Sequence, residues 1–264
     1  MKYKRLMISA SVIILCILIG KMIYTYYSPP KEHEIYQAQR HSDDTVRIAY
    51  IGDSWALGHK NHQCLTGIMI EDSIHQPVTI DSYGISALTS KEIYHALFEV
   101  EGFKHFIERG YDYCFISAGI NDANKKMSTS YYQKSMDCII RFLLTNHIHP
   151  IILEIPDFNI CQVYEIENAY DKMVRNLSMM INRLSIDCKQ EYRDALNKWI
   201  QKQDYRNEVS IVRYKEWNDD YEKDLKTMYI DDQLHLNERG YQVLDSIIAK
   251  EIYKHYQQKN YDNE

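Results

Sequence analysis

Short apolar runs, most of them stopped by glycine or proline, alternate along this chain with stretches of helical spacing. Thr45-Val46-Arg47-Ile48-Ala49-Tyr50-Ile51 reads as a buried strand ending at Gly52, and residues 78–83 form a shorter one ending at Gly84. Tyr111-Asp112-Tyr113-Cys114-Phe115-Ile116-Ser117 is a third, ahead of Ala118-Gly119. Residues 150–155, closed by Pro156, are a fourth, and residues 209–214 a fifth. Between them, Thr89-Ser90-Lys91-Glu92 spells a capping box before Ile93, Leu97 and Val100 at helical spacing. Met136, Ile140, Leu143 and Leu144 give the next helix an apolar face, and Asn237 is placed to cap a last one that buries Tyr241, Leu244, Ile248 and Ile252. Strands that alternate with helices predict an α/β fold, a three-layer doubly wound parallel sheet, with one domain over residues 45–258. In such a sheet the ligand site lies outside the carboxyl ends of the strands. Residues 157–207 exceed what a simple crossover needs. Met173, Leu177, Met180, Ile181 and Leu184 predict an amphipathic helix there, read as added scaffold rather than as a lid.

The first thirty residues have a different character. Lys2, Lys4 and Arg5 precede an uncharged run over residues 6–20, Lys21 interrupts, and residues 22–27 continue in apolar and aromatic types. A span needs roughly 20 apolar residues, so this run is completed only if Lys21 snorkels and Tyr24, Tyr26 and Tyr27 sit at the interface. The expectation is an uncleaved signal anchor over residues 1–30, a linker over 31–44 and a catalytic domain outside the cytoplasm. A cleaved signal peptide is the alternative, disfavoured because no small-x-small site follows Gly20.

Charge and cysteines narrow the partners. The formal net charge is −6 with no long Lys/Arg block, which excludes nucleic acid as the expected partner. The 23 tyrosines are read as compositional bias rather than as a stacking surface. Of six cysteines, Cys16 falls in the apolar run, and the odd remainder (Cys64, Cys114, Cys138, Cys161 and Cys188) has no metal-type spacing. Cys114, inside an apolar strand, is expected to be a core thiol. His59, His62 and Cys64, and likewise His147 with His149, lack a third and fourth ligand at structural-zinc spacing, so they are read as loop or surface residues.

Four polar motifs sit immediately after strands or before the last helix. Gly52-Asp53-Ser54 follows the first strand, where a serine at a strand-to-helix turn has the exposed hydroxyl a nucleophile needs. Gly84-Ile85-Ser86 follows the second, where glycine lets the backbone approach a ligand. Gly119-Ile120-Asn121-Asp122 follows the third and offers an amide donor. Asp232-Gln233-Leu234-His235 puts a carboxylate three residues before a histidine. Each motif alone is an ordinary loop. Together, in this order, they resemble the SGNH hydrolases, also called the GDSL esterase/lipase family, over roughly residues 45–253. Trp55 stands where that family commonly has leucine, and Ala87 where it commonly has glycine.

The resemblance implies a serine hydrolase acting on ester bonds. It assigns Ser54 as nucleophile, His235 as the base and Asp232 as the acid that orients the imidazole, with Asp231 a competing candidate. It places the N–H groups of Ser54 and Gly84 and the side chain of Asn121 in the oxyanion hole. Asp53 and Asp122 are expected to hold loop geometry. No metal and no organic cofactor is required. The expected substrate is a carbohydrate or other small ester from which an acyl group, acetyl first, is removed. An O-acyltransferase to a surface glycan on the same fold, and a non-catalytic glycan-binding protein, are the alternatives.

Overall fold

The computed structural model describes residues 2–61, 63–165 and 168–262. Five strands form one sheet: β1 (Val46–Gly52), β2 (Val78–Gly84), β3 (Tyr113–Ser117), β4 (His149–Leu153) and β5 (Ser210–Val212). Their order is β2-β1-β3-β4-β5 and every pairing is parallel. All five expected strands are present, with ends moved by a residue or more. Tyr111 and Asp112 lie outside β3 because the Asp112 carboxylate turns back, accepting the Arg47 N–H at 2.9 Å and lying 3.0 Å from His41 Nε2.

The N-terminal helix α1 is Lys2–Tyr27. Helices α2 (Ser54–His59) and α3 (Gln63–Ile74) join β1 to β2, and α4 (Ser90–Glu99) and α5 (Glu101–Glu108) join β2 to β3. Between β3 and β4 come α6 (Ile120–Lys125) and α7 (Thr129–Thr145). Between β4 and β5 lie α8 (Ile160–Glu165), α9 (Ala169–Asn182) and α10 (Lys189–Ile200). The chain closes with α11 (Tyr221–Asp224) and α12 (Glu238–Asp262). Helices α3 and α12 pack together, while α7 packs on both α4 and α10.

The central strands supply the core. Ile48, Tyr50 and Ile51 of β1 and Cys114 and Ile116 of β3 are fully buried, and Tyr50 meets Phe115 edge-on at 5.1 Å. Burial of one such side chain is worth roughly 1.5–3 kcal/mol, so these two strands fix the sheet. Cys114 is the core thiol its apolar run predicts, and burial pushes that thiol far above its ordinary range. The predicted capping box at Thr89 forms, with the Glu92 N–H on the Thr89 side chain and Glu92 reaching back to the Thr89 N–H at 2.8 Å.

Register places the loops. Gly52 of β1 is level with Gly84 of β2 and with Ser117 of β3, so the three loops that follow open at one edge of the sheet. The chain leaves β1 towards β2 on one side and resumes at β3 on the other. That reversal is the switch point at which open α/β sheets place their ligands.

Two expectations need correction. Helix α9 exists, but of its expected stripe Met173, Met180 and Ile181 are exposed and only Leu177 and Leu184 are half-buried, while Val174, Arg175 and Ser178 are buried instead. The helix turns its polar face inward because Ser178 Oγ (2.6 Å) and Asn182 Nδ2 (3.1 Å) donate to the carbonyl of Lys126, where α6 ends in a left-handed residue. The spanning anchor over residues 1–30 is also unsupported: among the described residues no helix is long and apolar enough to cross a membrane.

The stretch between α1 and β1 has neither helix nor strand, yet it is bound along its length. Lys91 Nζ donates to Ser28 Oγ at 2.7 Å, Tyr36 OH to the Leu97 carbonyl at 2.9 Å, and the Ala38 N–H to Asn146 Oδ1 at 2.5 Å. The Gln39 N–H donates to the Glu108 carbonyl at 3.0 Å. Residues 28–44 thus lie as a strap across α4, α5 and α7.

Candidate active site

Ser54 is the first residue of α2, directly after β1. The turn that presents it is built by Asp53, whose fully buried side chain caps α2 by accepting the Trp55 N–H at 3.0 Å. Asp53 Oδ1 also accepts from Ser117 Oγ at 3.1 Å, and its own N–H donates to the Ser117 carbonyl at 3.2 Å. The start of α2 is therefore tied to the end of β3. Burial pushes the Asp53 carboxyl up to about 6, against the pull of the hydrogen bonds from Trp55 and Ser117.

His235 reaches Ser54 from 181 residues away in sequence: its Nε2 lies 2.8 Å from Ser54 Oγ. On the other side of the ring, Nδ1 lies 2.6 Å from Asp232 Oδ2. The second Asp232 oxygen accepts the N–H groups of Leu234 (3.0 Å) and His235 (2.9 Å). Burial alone would raise the Asp232 carboxyl, but these bonds and the imidazole outweigh it and hold the group below its usual range. An ionised Asp232 fixes the proton on Nδ1 and leaves the Nε2 lone pair facing the serine. Asp231, the competing acid, is exposed, and its carbonyl accepts from Gln162 at 3.4 Å.

The loop that holds this pair is pinned at Gln233, a left-handed residue (φ 55°). Its carbonyl accepts from Tyr221 OH at 2.8 Å and from the Asn159 N–H at 3.3 Å, and its side chain binds Asn159 Nδ2 at 2.8 Å. Residues 157–165 thus act as a buttress for the histidine loop. Nothing in the sequence singled out Gln233 or Asn159.

Asn121 lies in the first turn of α6, after Gly119 in the left-handed region (φ 110°), where a side chain would run into Ile155 and Tyr132. Its Nδ2 donates to the Leu88 carbonyl at 3.0 Å and lies 3.4 Å from Asp53 Oδ2. Gly84 sits where a Cβ would overlap the Leu57 nitrogen and the Asp53 carbonyl, so α2 packs directly on the β2 backbone. Asp122, fully buried, accepts the Ser90 N–H (2.8 Å) and Ser90 Oγ (2.6 Å), which joins α6 to the start of α4. Ser54 and His235 face an open depression of about 430 Å³ that Leu57, Lys60 and Tyr241 also line. The structure thus brings Ser54, His235 and Asp232 into one hydrogen-bonded line. Gly84 and Asn121 flank the residue before the serine.

Residues 50–243 match the GDSL-like lipase/acylhydrolase family. The chain belongs to this family. It is an ester-hydrolysing enzyme, and the resemblance read from the four motifs is borne out. No curated protein matches the sequence. Among solved structures, an acetyl xylan esterase is similar over 78% of this chain and 100% of its own, with TM-score 0.54 and 14% identity. An acetyl-xylooligosaccharide esterase from Geobacillus, in a single-residue variant, shares 14% identity at TM-score 0.53, over 78% of this chain and 94% of that one. The lipase/acylhydrolase from Enterococcus faecalis shares 17% identity at TM-score 0.51, over 80% and 96% of the two chains. These likenesses carry the fold.

The departures from the family pattern find physical places in this GDSL-like hydrolase. Trp55 is buried with its ring edge towards Trp217 at 5.9 Å, so its side chain belongs to the core rather than to the cleft. Ala87 adopts a left-handed conformation (φ 64°), which accounts for the family's use of glycine there. Of the histidines weighed as loop residues, His59 is instead almost fully buried at the far end of α2, against the Asp245 carboxylate and the edge of Tyr50 at 4.2 Å. His62 and the side chain of Cys64 lie outside the described residues.

Proposed function

We propose that the protein is a serine esterase that removes acetyl groups from a carbohydrate through an acyl-enzyme on Ser54. The observation that carries this reading is the line Asp232–His235–Ser54, with contacts of 2.6 and 2.8 Å. Ser54 Oγ attacks the ester carbonyl while its proton passes to His235 Nε2. The imidazolium that forms is stabilised by Asp232 and then protonates the leaving sugar hydroxyl. Water enters, gives its proton to the same nitrogen and releases acetate. The tetrahedral oxyanion is received by the N–H groups of Ser54 and Gly84 and by Asn121 Nδ2, which keeps its bond to the Leu88 carbonyl and gives up its longer 3.4 Å contact with Asp53 Oδ2 to the oxyanion.

A short acyl group suits a depression that is open and only partly apolar around Ser54. The two acetyl esterases similar in fold act, by their names, on xylan and xylooligosaccharide, and a related acetylated glycan is the substrate class proposed here. Location is part of the same proposal. The exposed apolar side chains of Ile13, Leu15, Ile17 and Ile19 on α1 would hold the chain at a membrane, with the catalytic domain on the outer side. Fractionation and protease treatment of intact cells test this; a domain shielded from added protease removes it.

The deciding experiment follows p-nitrophenyl acetate turnover by the parent and by Ser54→Ala, with and without an oligosaccharide acceptor. Loss of turnover in Ser54→Ala, with parent hydrolysis unaffected by the acceptor, is the expected result. Release that rises only with acceptor and yields acetylated sugar would make the protein a transferase. Equal rates in parent and variant would remove Ser54 as nucleophile.

A further inference from the structure

We propose that His33, His95 and Glu99 form a binding site for a divalent transition ion, zinc foremost, that fastens the strap over residues 28–44 to α4. His95 and Glu99 are four residues apart on α4, hence on one face of a rigid helix. The strap brings His33 onto that face. His33 Nε2 lies 2.6 Å from His95 Nδ1, and Glu99 Oε1 lies 3.7 Å and 3.8 Å from those two nitrogens. In a tetrahedral site with metal–ligand bonds of about 2.0–2.1 Å, ligand atoms stand about 3.3–3.4 Å apart. The three atoms bracket that spacing, so an ion needs the two imidazoles to part and the carboxylate to close in, each by well under 1 Å.

The surroundings favour ligation over a chance meeting of side chains. The His33 ring is stacked on Phe98 (centroids 4.6 Å apart, 5° between planes) and edged by Tyr94 at 5.7 Å, so its Nε2 edge is held towards His95 and Glu99 before any ion arrives. The two histidine side chains are only 12% and 17% exposed, whereas Glu99 is 59% exposed, which leaves one open side for entry and for a water as fourth ligand. Two neutral imidazoles and one carboxylate suit zinc, cobalt or nickel better than calcium or magnesium. Ligation through Nδ1 puts the remaining His95 proton on Nε2. The Lys31 N–H, now 3.4 Å from that nitrogen, then loses its acceptor. The ion therefore resets the strap at Lys31 while securing it at His33. The site touches none of the groups around Ser54 and does not depend on what the esterase acts on.

The test uses the full chain in mild detergent, stripped with chelator and titrated with Co²⁺ and then Zn²⁺. One Co²⁺ per chain with tetrahedral visible bands, displaced by Zn²⁺, is expected. His33→Gln and His95→Gln should each weaken binding at least ~100-fold and Glu99→Gln about tenfold. Zinc should slow proteolytic cleavage within residues 28–44 in the parent and leave the rate unchanged in His33→Gln. Ester turnover, to which these residues contribute nothing, reports that each variant is folded. Should a histidine variant not fold, Glu99→Gln on the exposed edge still decides the question. Absence of tetrahedral bands, or an unchanged affinity in Glu99→Gln and in the double histidine variant, would overturn the proposal.

Discussion

Asp53 and Asn121 share one hydrogen-bonding system: Asp53 Oδ1 caps the helix that presents Ser54, while Oδ2 lies 3.4 Å from the Asn121 amide nitrogen. The proposed nucleophile and the proposed side-chain donor for the oxyanion are thus both tied to the two oxygens of one buried carboxylate. Asp53→Asn keeps the shape but offers Asn121 an amide N–H₂ where it had an acceptor. Donor then faces donor, and Asn121 must turn. A misplacement of about 1 Å at such a site costs on the order of 10²-fold. The expected outcome is a kcat lower by roughly tenfold to a hundredfold with KM little changed. Steady-state kinetics on p-nitrophenyl acetate check it; unchanged kcat would show that Asn121 is oriented by Leu88 alone.

The two adjacent carboxylates near the C-terminus allow a sharper comparison. Asp232 accepts from His235 Nδ1 and from two backbone N–H groups, whereas Asp231 is exposed. Asp232→Asn can present its own N–H to Nδ1 and so stabilise the wrong tautomer, an effect worth about 10⁴ in kcat in serine triads. Asp231→Asn is expected to stay within about twofold of the parent, as exposed substitutions away from contacts usually do. A large loss in Asp231→Asn with little in Asp232→Asn would reverse the assignment.

The legible parts of this site were those written in contiguous residues. Gly52-Asp53-Ser54, Gly119-Ile120-Asn121-Asp122 and the Asp232/His235 spacing are each local, and each follows or precedes an element that its own apolar pattern announces. The sheet followed for the same reason, since β3 is buried along its whole length and β1 at every position but Arg47, and both read as largely apolar runs. What stayed hidden depends on pairings across the fold. Asn159 beneath Gln233 and His33 against His95 join residues 74 and 62 positions apart. Helix α9 misled for a related reason. Its spacing showed a stripe of Met173, Leu177, Met180, Ile181 and Leu184, but the demand of one buried carbonyl at Lys126 for Ser178 and Asn182 decided which face turned in.

Asp122 gives the fold a dependence on pH that runs opposite to ordinary acid denaturation. Burial raises its carboxyl from 3.8 to about 6, while its bonds from Ser90 pull the other way. Between those values the folded protein holds a proton that the unfolded chain has released, so this group's contribution falls as pH rises through the window. By neutral pH the ionised carboxylate costs on the order of 3 kcal/mol. Asp122→Asn removes that slope and keeps both contacts, because Ser90 Oγ can turn from donor to acceptor. Urea unfolding from about pH 4.5 to 7 should show a loss of stability smaller by about 2 kcal/mol in the variant than in the parent. Parallel curves would mean that Asp122 stays charged throughout.

Ala87 is the departure from the family pattern with the clearest cost. Its φ of 64° places an L-residue in the left-handed region, and its carbonyl is held there by Lys125 Nζ at 3.0 Å. The left-handed region costs a residue with a Cβ roughly 1–2 kcal/mol, which glycine avoids. Glycine in turn gives the unfolded chain extra freedom worth about 0.4–1 kcal/mol, so part of the gain is returned. The balance predicts that Ala87→Gly stabilises the protein by about 0.5–1 kcal/mol, measured by chemical denaturation. Activity should hold, because the Leu88 carbonyl that binds Asn121 is kept in place by the same turn. A destabilised Ala87→Gly would mean that the Ala87 methyl makes packing contacts worth more than the strain it imposes.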